Sequence, residues 1–159
     1  VRATHYSGPM AKSVVDPCLV CREHSGDVVI PGGFLIETAN VIAFHCPPLP
    51  NAREPYLGYL FVTPRRHTPS FAELTHEEAG DIGVAMSRLC AALTSLGAER
   101  VYTVTIGHDV PHLHVHLVPR WPETPPEISW RDVDSWTGAR RGDADDVAAM
   151  ASQLRTSLE

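Results

Sequence analysis

In the stretch VPHLHVHLVPRW, His112, His114 and His116 recur at every second residue, separated by Leu113 and Val115. Three of the chain's nine histidines thus fall within five positions. On an extended segment alternate side chains share a face, with neighbours roughly 6–7 Å apart. The three imidazoles therefore line one side, while Leu113, Val115 and Leu117 line the other and enter a core. Imidazole ligates metals and does nucleophilic or acid–base work near neutral pH. Side chains two apart on a flat strand do not converge easily on one ion. A division of roles is expected: one ligates, one attacks, one handles a phosphate or a proton. The competing reading is a solvated strand face that happens to be rich in histidine.

A second group with chemical potential is CLVC, in which Cys18 and Cys21 offer two thiolates on a tight turn, the usual half of a zinc site. The same spacing also serves redox pairs. Candidate partners are His24, His45, His67, His108 and His112. His67, in TPRRHTP, follows a strand end and with His112 completes a Cys2His2 set. His24, in C-x-x-C-x-x-H, is its main rival. The other cysteines are Cys46 and Cys90, and an even count suits disulfides in a small secreted protein. Nothing else points that way. VRATHYSGPMAKSVVDP lacks the apolar run of a secretory signal, and no apolar stretch approaches the ~20 residues of a membrane span. A cytoplasmic location is expected, where such a pair binds metal more often than it cross-links. A net charge of −6 disfavours wrapping a nucleic acid polymer, which needs a basic surface. A single nucleotide needs only a few local donors.

The elements that position these residues follow from periodicity. Residues 1–15 read as loose, and DPCLVCREHSG as a turn-rich knuckle. GGFLIET and NVIAFHC read as a strand hairpin turning at Ala39–Asn40. PPLPNAREP, with four prolines in nine residues, is a loop. YLGYLFVTP is a strand. Thr75 and Glu78 form a capping box that opens a long helix, with Ile82, Met86, Leu89, Leu93 and Leu96 on its apolar face. Gly97 stops it, and Gly80 and Gly83 are expected to allow close packing on a sheet. RVYTVTIG and HLHVHLV are two more strands. Residues 122–159 read as a proline-rich loop and a final helix over 144–158, with Val147, Met150 and Leu154 inward. Trp121, Trp130 and Trp136 are expected to pin that loop to the core, and Arg140 and Arg141 to be solvated. The order β-β-β-α-β-β-α predicts one α+β domain over 1–159, an antiparallel sheet with helices packed on it.

HLHVHLVPR resembles the histidine triad (HIT) family pattern His-φ-His-φ-His-φ-φ, where φ is apolar. The upstream order is similar too: C-x-x-C, strands, then GYLFVTPRRH in place of Gly-His-x-Leu-φ-φ-Pro-Lys-x-His. The resemblance covers roughly residues 16–121. It implies a HIT-like antiparallel sheet of about five strands with a long central helix and a C-terminal helix. It implies a homodimer sharing one continuous sheet, and a small nucleotide as substrate. The implied reaction is cleavage at the α-phosphate of dinucleoside polyphosphates or nucleoside phosphoramidates. His114 would be the nucleophile, forming a covalent nucleotidyl-histidine, its tautomer set by a backbone carbonyl on the same strand. His116 would contact the phosphate and assist the leaving group. Cys18, Cys21, His67 and His112 would hold a structural Zn2+. Gly107, His108, Asp109 and Val110 would lie at the phosphate. TIGHDVPH is shorter than the family's loop, and a carboxylate at Asp109 would repel phosphate unless paired or turned away. AFHCPP offers His45 and Cys46 where the family carries a ribose-binding acid. A nucleotidylyltransferase, a nucleotide-binding zinc module with little catalysis, and a zinc-stabilised interaction domain share the same residues.

Overall fold

Five strands form one sheet in the order β1-β2-β3-β5-β4, every neighbour antiparallel, in a computed structural model that describes residues 18–48, 50 and 52–159. The segment 1–15 expected to be loose lies outside the described residues, as do Leu49 and Asn51 of the proline-rich loop. The strands are β1 (Phe34–Glu37), β2 (Val41–His45), β3 (Leu60–Pro64), β4 (Arg100–Val104) and β5 (Val115–Arg120). No helix is long and apolar enough to cross a membrane among the described residues.

The expected knuckle is a short helix, α1 (Leu19–Ser25), which starts directly after Cys18 and stops where Gly26 takes a φ of 85°. LVCREH contains no helix breaker, and glycine adopts that left-handed stop without strain. Cys18 and Cys21 stand three apart and so share a side of α1.

Helix α2 (His76–Ser95) opens with the capping box: Thr75 Oγ1 accepts from the Glu78 amide at 3.1 Å, and the Glu78 carboxylate accepts from the Thr75 amide at 2.8 Å. Its face of Ile82, Leu89 and Leu93 is buried, with Met86 and Leu96 at the margin. Gly80 and Gly83 are not at the sheet. No atom lies within 4 Å of where a Cβ would stand on either, because helical periodicity turns them away from Ile82 and Leu89. Helix α3 (Ala144–Leu158), capped by Asp143, buries Val147, Ala151 and Leu154. Together α2 and α3 cover one face of the sheet, against Val41, Ala43, Leu60, Val62, Val115 and Leu117. Each such large side chain stabilises the fold by about 1.5–3 kcal/mol on burial.

The regular pairing of β5 begins at Val115, so HLHVHLV is not strand throughout. In the β3–β5 register Val62 faces Val115, which leaves Leu113 opposite Pro64, a residue with no amide proton to give. Leu113 instead donates its amide to the Thr68 carbonyl at 2.7 Å. His112 and His114 therefore lie in an extended lead-in to β5.

In the final loop, Trp121 is buried and donates Nε1–H to the Leu57 carbonyl at 3.0 Å. Gly58, with a φ of 89°, passes beneath it; a Cβ there would sit 2.8 Å from Trp121 Cζ2. Trp130 is 46% exposed, and its contact with the core side of the loop is with Tyr102 of β4. Arg140 pairs with Glu123 and lies 4.6 Å over the Trp121 ring. Arg141 is not solvated but half-buried. Its guanidinium donates to the Glu54 and Asp134 carbonyls, which have no ladder partners of their own.

Candidate functional site

The far sheet face, opposite α2, carries α1 and the polar residues. Registers place Phe44 beside Phe61, Phe61 beside His116, and His116 beside Val104 in one lateral row. Alternation along β3 then brings Tyr59, Phe61 and Thr63 to this face.

Cys18, Cys21, His67 and His112 meet at one end of it, with one ligand atom from each lying within 4.8 Å of the others. Cys21 Sγ stands 3.3 Å from His67 Nδ1 and 3.5 Å from His112 Nδ1, and Cys18 Sγ stands 3.7 Å from His112 Nδ1. Zinc bond lengths and tetrahedral angles require about 3.6 Å between a sulfur and a nitrogen ligand. The cluster therefore fits the ion. His112 is fully buried, and its Nε2–H donates to the Pro64 carbonyl at 2.9 Å, which leaves Nδ1 with the lone pair a metal takes. Burial, the bond to Cys18 and repulsion from its sulfur all raise the Cys21 thiol pKa, a cost that a divalent cation reverses.

Neither rival histidine joins the cluster. His24 donates Nε2–H to Thr63 Oγ1 at 2.8 Å, and burial holds its pKa down to about 4. His45, wholly buried at the end of β2, donates Nδ1–H to the Cys46 carbonyl and accepts the Gly58 amide on Nε2, both at 2.8 Å. It is a structural clasp. His108 lies on an exposed loop.

His114 Nδ1–H donates to the His112 carbonyl at 2.6 Å. A carbonyl can only accept, so a proton sits on Nδ1, and in the neutral ring the free lone pair is on Nε2. The His116 ring centroid is 4.8 Å away, and Phe61 packs edge-on against both rings. The Tyr59 hydroxyl lies 2.7 Å from His116 Nδ1. Burial raises the Tyr59 pKa, so the phenol keeps its proton; with that proton directed at Nδ1, the His116 ring proton sits on Nε2. That Nε2 is buried and has no partner among the described residues. Burial, then repulsion from His114, holds the His116 pKa down to about 4. The pair thus presents one bare nitrogen and one unpaired N–H, suited to attack on phosphorus and donation to its oxygen.

Two cavities flank the pair. One of about 110 Å3 reaches His114 and is lined by Val110, Phe61 and α1. The other, about 410 Å3, lies beyond His116 and is lined by Tyr59, Tyr102, Trp130 and Asp134 among others. Of the loop residues expected at a phosphate, Val110 reaches the smaller cavity. Gly107, His108 and Asp109 are exposed and line neither. Tyr59 and Glu23 enter the site unanticipated by motif spacing. The alternation in YLFVT holds a signal for Tyr59, once β3 is placed beside β5.

A family model described as HIT domain matches residues 29–123, from ahead of β1 to just past β5. Over 76 residues the chain is 30% identical to the bifunctional bis(5′-adenosyl)-triphosphatase/adenylylsulfatase FHIT of Arabidopsis thaliana. That match covers 44% of this chain and 42% of the relative, so it spans less than half of that protein's length. Among solved structures, a hypothetical histidine triad nucleotide-binding protein from Sulfolobus tokodaii superposes with a TM-score of 0.68 at 18% identity, covering 89% of this chain and 91% of the other. A Zn-bound histidine triad family protein from Mycobacterium smegmatis gives 0.66 at 21%, covering 89% and 93%. At these identities the likeness is one of fold.

Proposed function

This chain belongs to the HIT domain family, and on that footing we propose that it is a nucleotide hydrolase acting at an α-phosphate through His114. The observation that carries the proposal is the 2.6 Å bond from His114 Nδ1 to the His112 carbonyl, which in the neutral ring leaves the lone pair on Nε2, away from the backbone. His114 Nε2 attacks the α-phosphorus, and the bond from phosphorus to the leaving group breaks. The His116 N–H hydrogen-bonds the phosphoryl oxygens as their charge grows, and the departing group takes its proton from solvent. Water then attacks the nucleotidyl-histidine, the P–N bond breaks, and His114 is restored. Splitting one displacement in two lets a good leaving group, imidazole, appear in the second step. The substrate class is a dinucleoside polyphosphate or nucleoside phosphoramidate, in keeping with the bis(5′-adenosyl)-triphosphatase from Arabidopsis thaliana that the chain resembles.

Cys18, Cys21, His67 and His112 would hold zinc, which would supply a structural clasp and no reactive water. The four residues come from α1 and its N-cap, the loop after β3 and the lead-in to β5. Of the loop before β5, Val110, which lines the cavity beside His114, offers its backbone amide to the phosphate. Two copies are expected to pair through β4, an edge strand of the sheet, to make a homodimer.

The cavity beyond His116 favours a second reading, a nucleotidylyltransferase, since it has room for an acceptor beside the reacting pair. The experiment is turnover of adenosine 5′-phosphoramidate and diadenosine triphosphate by the wild type and His114→Ala. Loss of at least about a thousandfold in the variant is expected. Equal turnover by both proteins would remove His114 from the chemistry. Nucleotide binding without turnover would favour the binding module.

A further inference from the structure

The cavity beside His114 has a carboxyl at its other side. Glu23, in the last turn of α1, is 4% exposed, and among the described residues no hydrogen bond or ion pair is formed by its carboxyl. Leu19, Val20, Phe61 and Val110 make the surrounding wall apolar. Holding a carboxyl against an apolar wall with no donor beside it among the described residues carries a cost in either charge state. A donor that arrives with the ligand removes that cost.

The size and place of the cavity say which part of the ligand this is. At about 110 Å3 it is near a third of the ~300 Å3 that marks the smaller ligand pockets, so it takes a fragment the size of a sugar ring. In a nucleotide the sugar is the unit joined to the α-phosphorus. With phosphorus at His114 Nε2, the adjoining cavity receives that sugar. A carboxylate accepts two hydrogen bonds side by side, and a vicinal diol offers two O–H donors.

We propose that Glu23 is a specificity-determining residue that accepts hydrogen bonds from the 2′- and 3′-hydroxyls of the substrate ribose. The position after β2, Cys46, lines the same cavity and offers only a thiol, so Glu23 is the one carboxyl on this wall among the described residues. The assignment rests on the placement of phosphorus at His114.

The test is calorimetric binding of AMP and 2′,3′-dideoxy-AMP to the wild-type chain, Glu23→Leu and Glu23→Gln. The wild type is expected to bind AMP about 10- to 100-fold more tightly than the dideoxy compound, the range for charge-assisted hydrogen bonds. Glu23→Leu should bind the two within about twofold, and Glu23→Gln should fall between. A melting temperature for Glu23→Leu at or above that of the wild type shows the fold intact and supports a carboxyl kept for a ligand. An unchanged AMP preference in a folded Glu23→Leu overturns the assignment, as does failure of the wild type to bind either compound. Ribose preference without turnover of phosphoramidates would sustain Glu23 and defeat the nucleophile. Turnover without ribose preference would do the reverse.

Discussion

His112 and His114 are joined through the backbone: the carbonyl of the first accepts the Nδ1 proton of the second at 2.6 Å. The ring of His112 meanwhile faces Cys18 and Cys21 through Nδ1 and holds the Pro64 carbonyl through Nε2. One residue thereby links the Cys2His2 cluster to the orientation of the His114 imidazole. Whatever loosens the His112 ring also moves the carbonyl that sets the His114 tautomer.

Zinc should therefore matter to stability and to rate, though it touches no substrate. Elemental analysis is expected to find about one zinc per chain in the wild type and almost none in Cys21→Ser. At free zinc a thousandfold above Kd, linkage contributes about 4 kcal/mol, equivalent to roughly 8–16 °C in Tm for a chain of this size. Thermal melts with and without chelator measure that shift. A zinc-free chain with an unchanged Tm and full activity would contradict the clasp.

Tyr59→Phe removes the hydroxyl that donates to His116 Nδ1 and leaves the packing against Phe61 in place. With one hydrogen bond of about 1 kcal/mol lost, kcat should fall about fivefold to tenfold while KM changes little. Steady-state kinetics on the phosphoramidate decide this. A change confined to KM would make Tyr59 a binding group.

His45 makes stability depend on pH. Its folded pKa lies at about 4, lowered by burial, against about 6.5 for an unfolded histidine. The unfolded chain then binds the extra proton between those values, so stability is complete above pH ~6.5 and falls as pH drops toward ~4. Each such group adds a slope of about 1.4 kcal/mol per pH unit in that window. His45→Gln keeps a donor and an acceptor near Cys46 and Gly58 without titrating. Denaturant unfolding from pH 4 to 7 should show its slope reduced by one proton, with His24 and His116 supplying part of the remainder.

Much of this site is legible in the amino-acid order, for local reasons. Period-two histidines dictate a shared face, Thr75 and Glu78 announce a helix start, and two cysteines three apart announce half of a Cys2His2 set. The features that are not legible depend on long-range pairing. C-x-x-C suits a turn and a helix equally, so α1 reads as a knuckle. His24 and His45 look like free ligands because nothing local shows that Thr63, Cys46 and Gly58 occupy their nitrogens. Tyr59 joins His116 only through the register of β3 on β5, and Glu23 reaches its cavity only through the seat of α1 on the sheet. The start of β5 escapes a local reading because it is set by Pro64, 51 residues before Val115.

The decisive measurement is to mix the wild-type chain with adenosine 5′-phosphoramidate, quench within one turnover, and read the intact mass and the peptide map. The expected result is one adenylyl group per chain, labile to acid and located on His114, and absent from His114→Ala. A wild type that turns the substrate over with no adduct at any quench time, or with the adduct on another residue, would contradict the attack by His114.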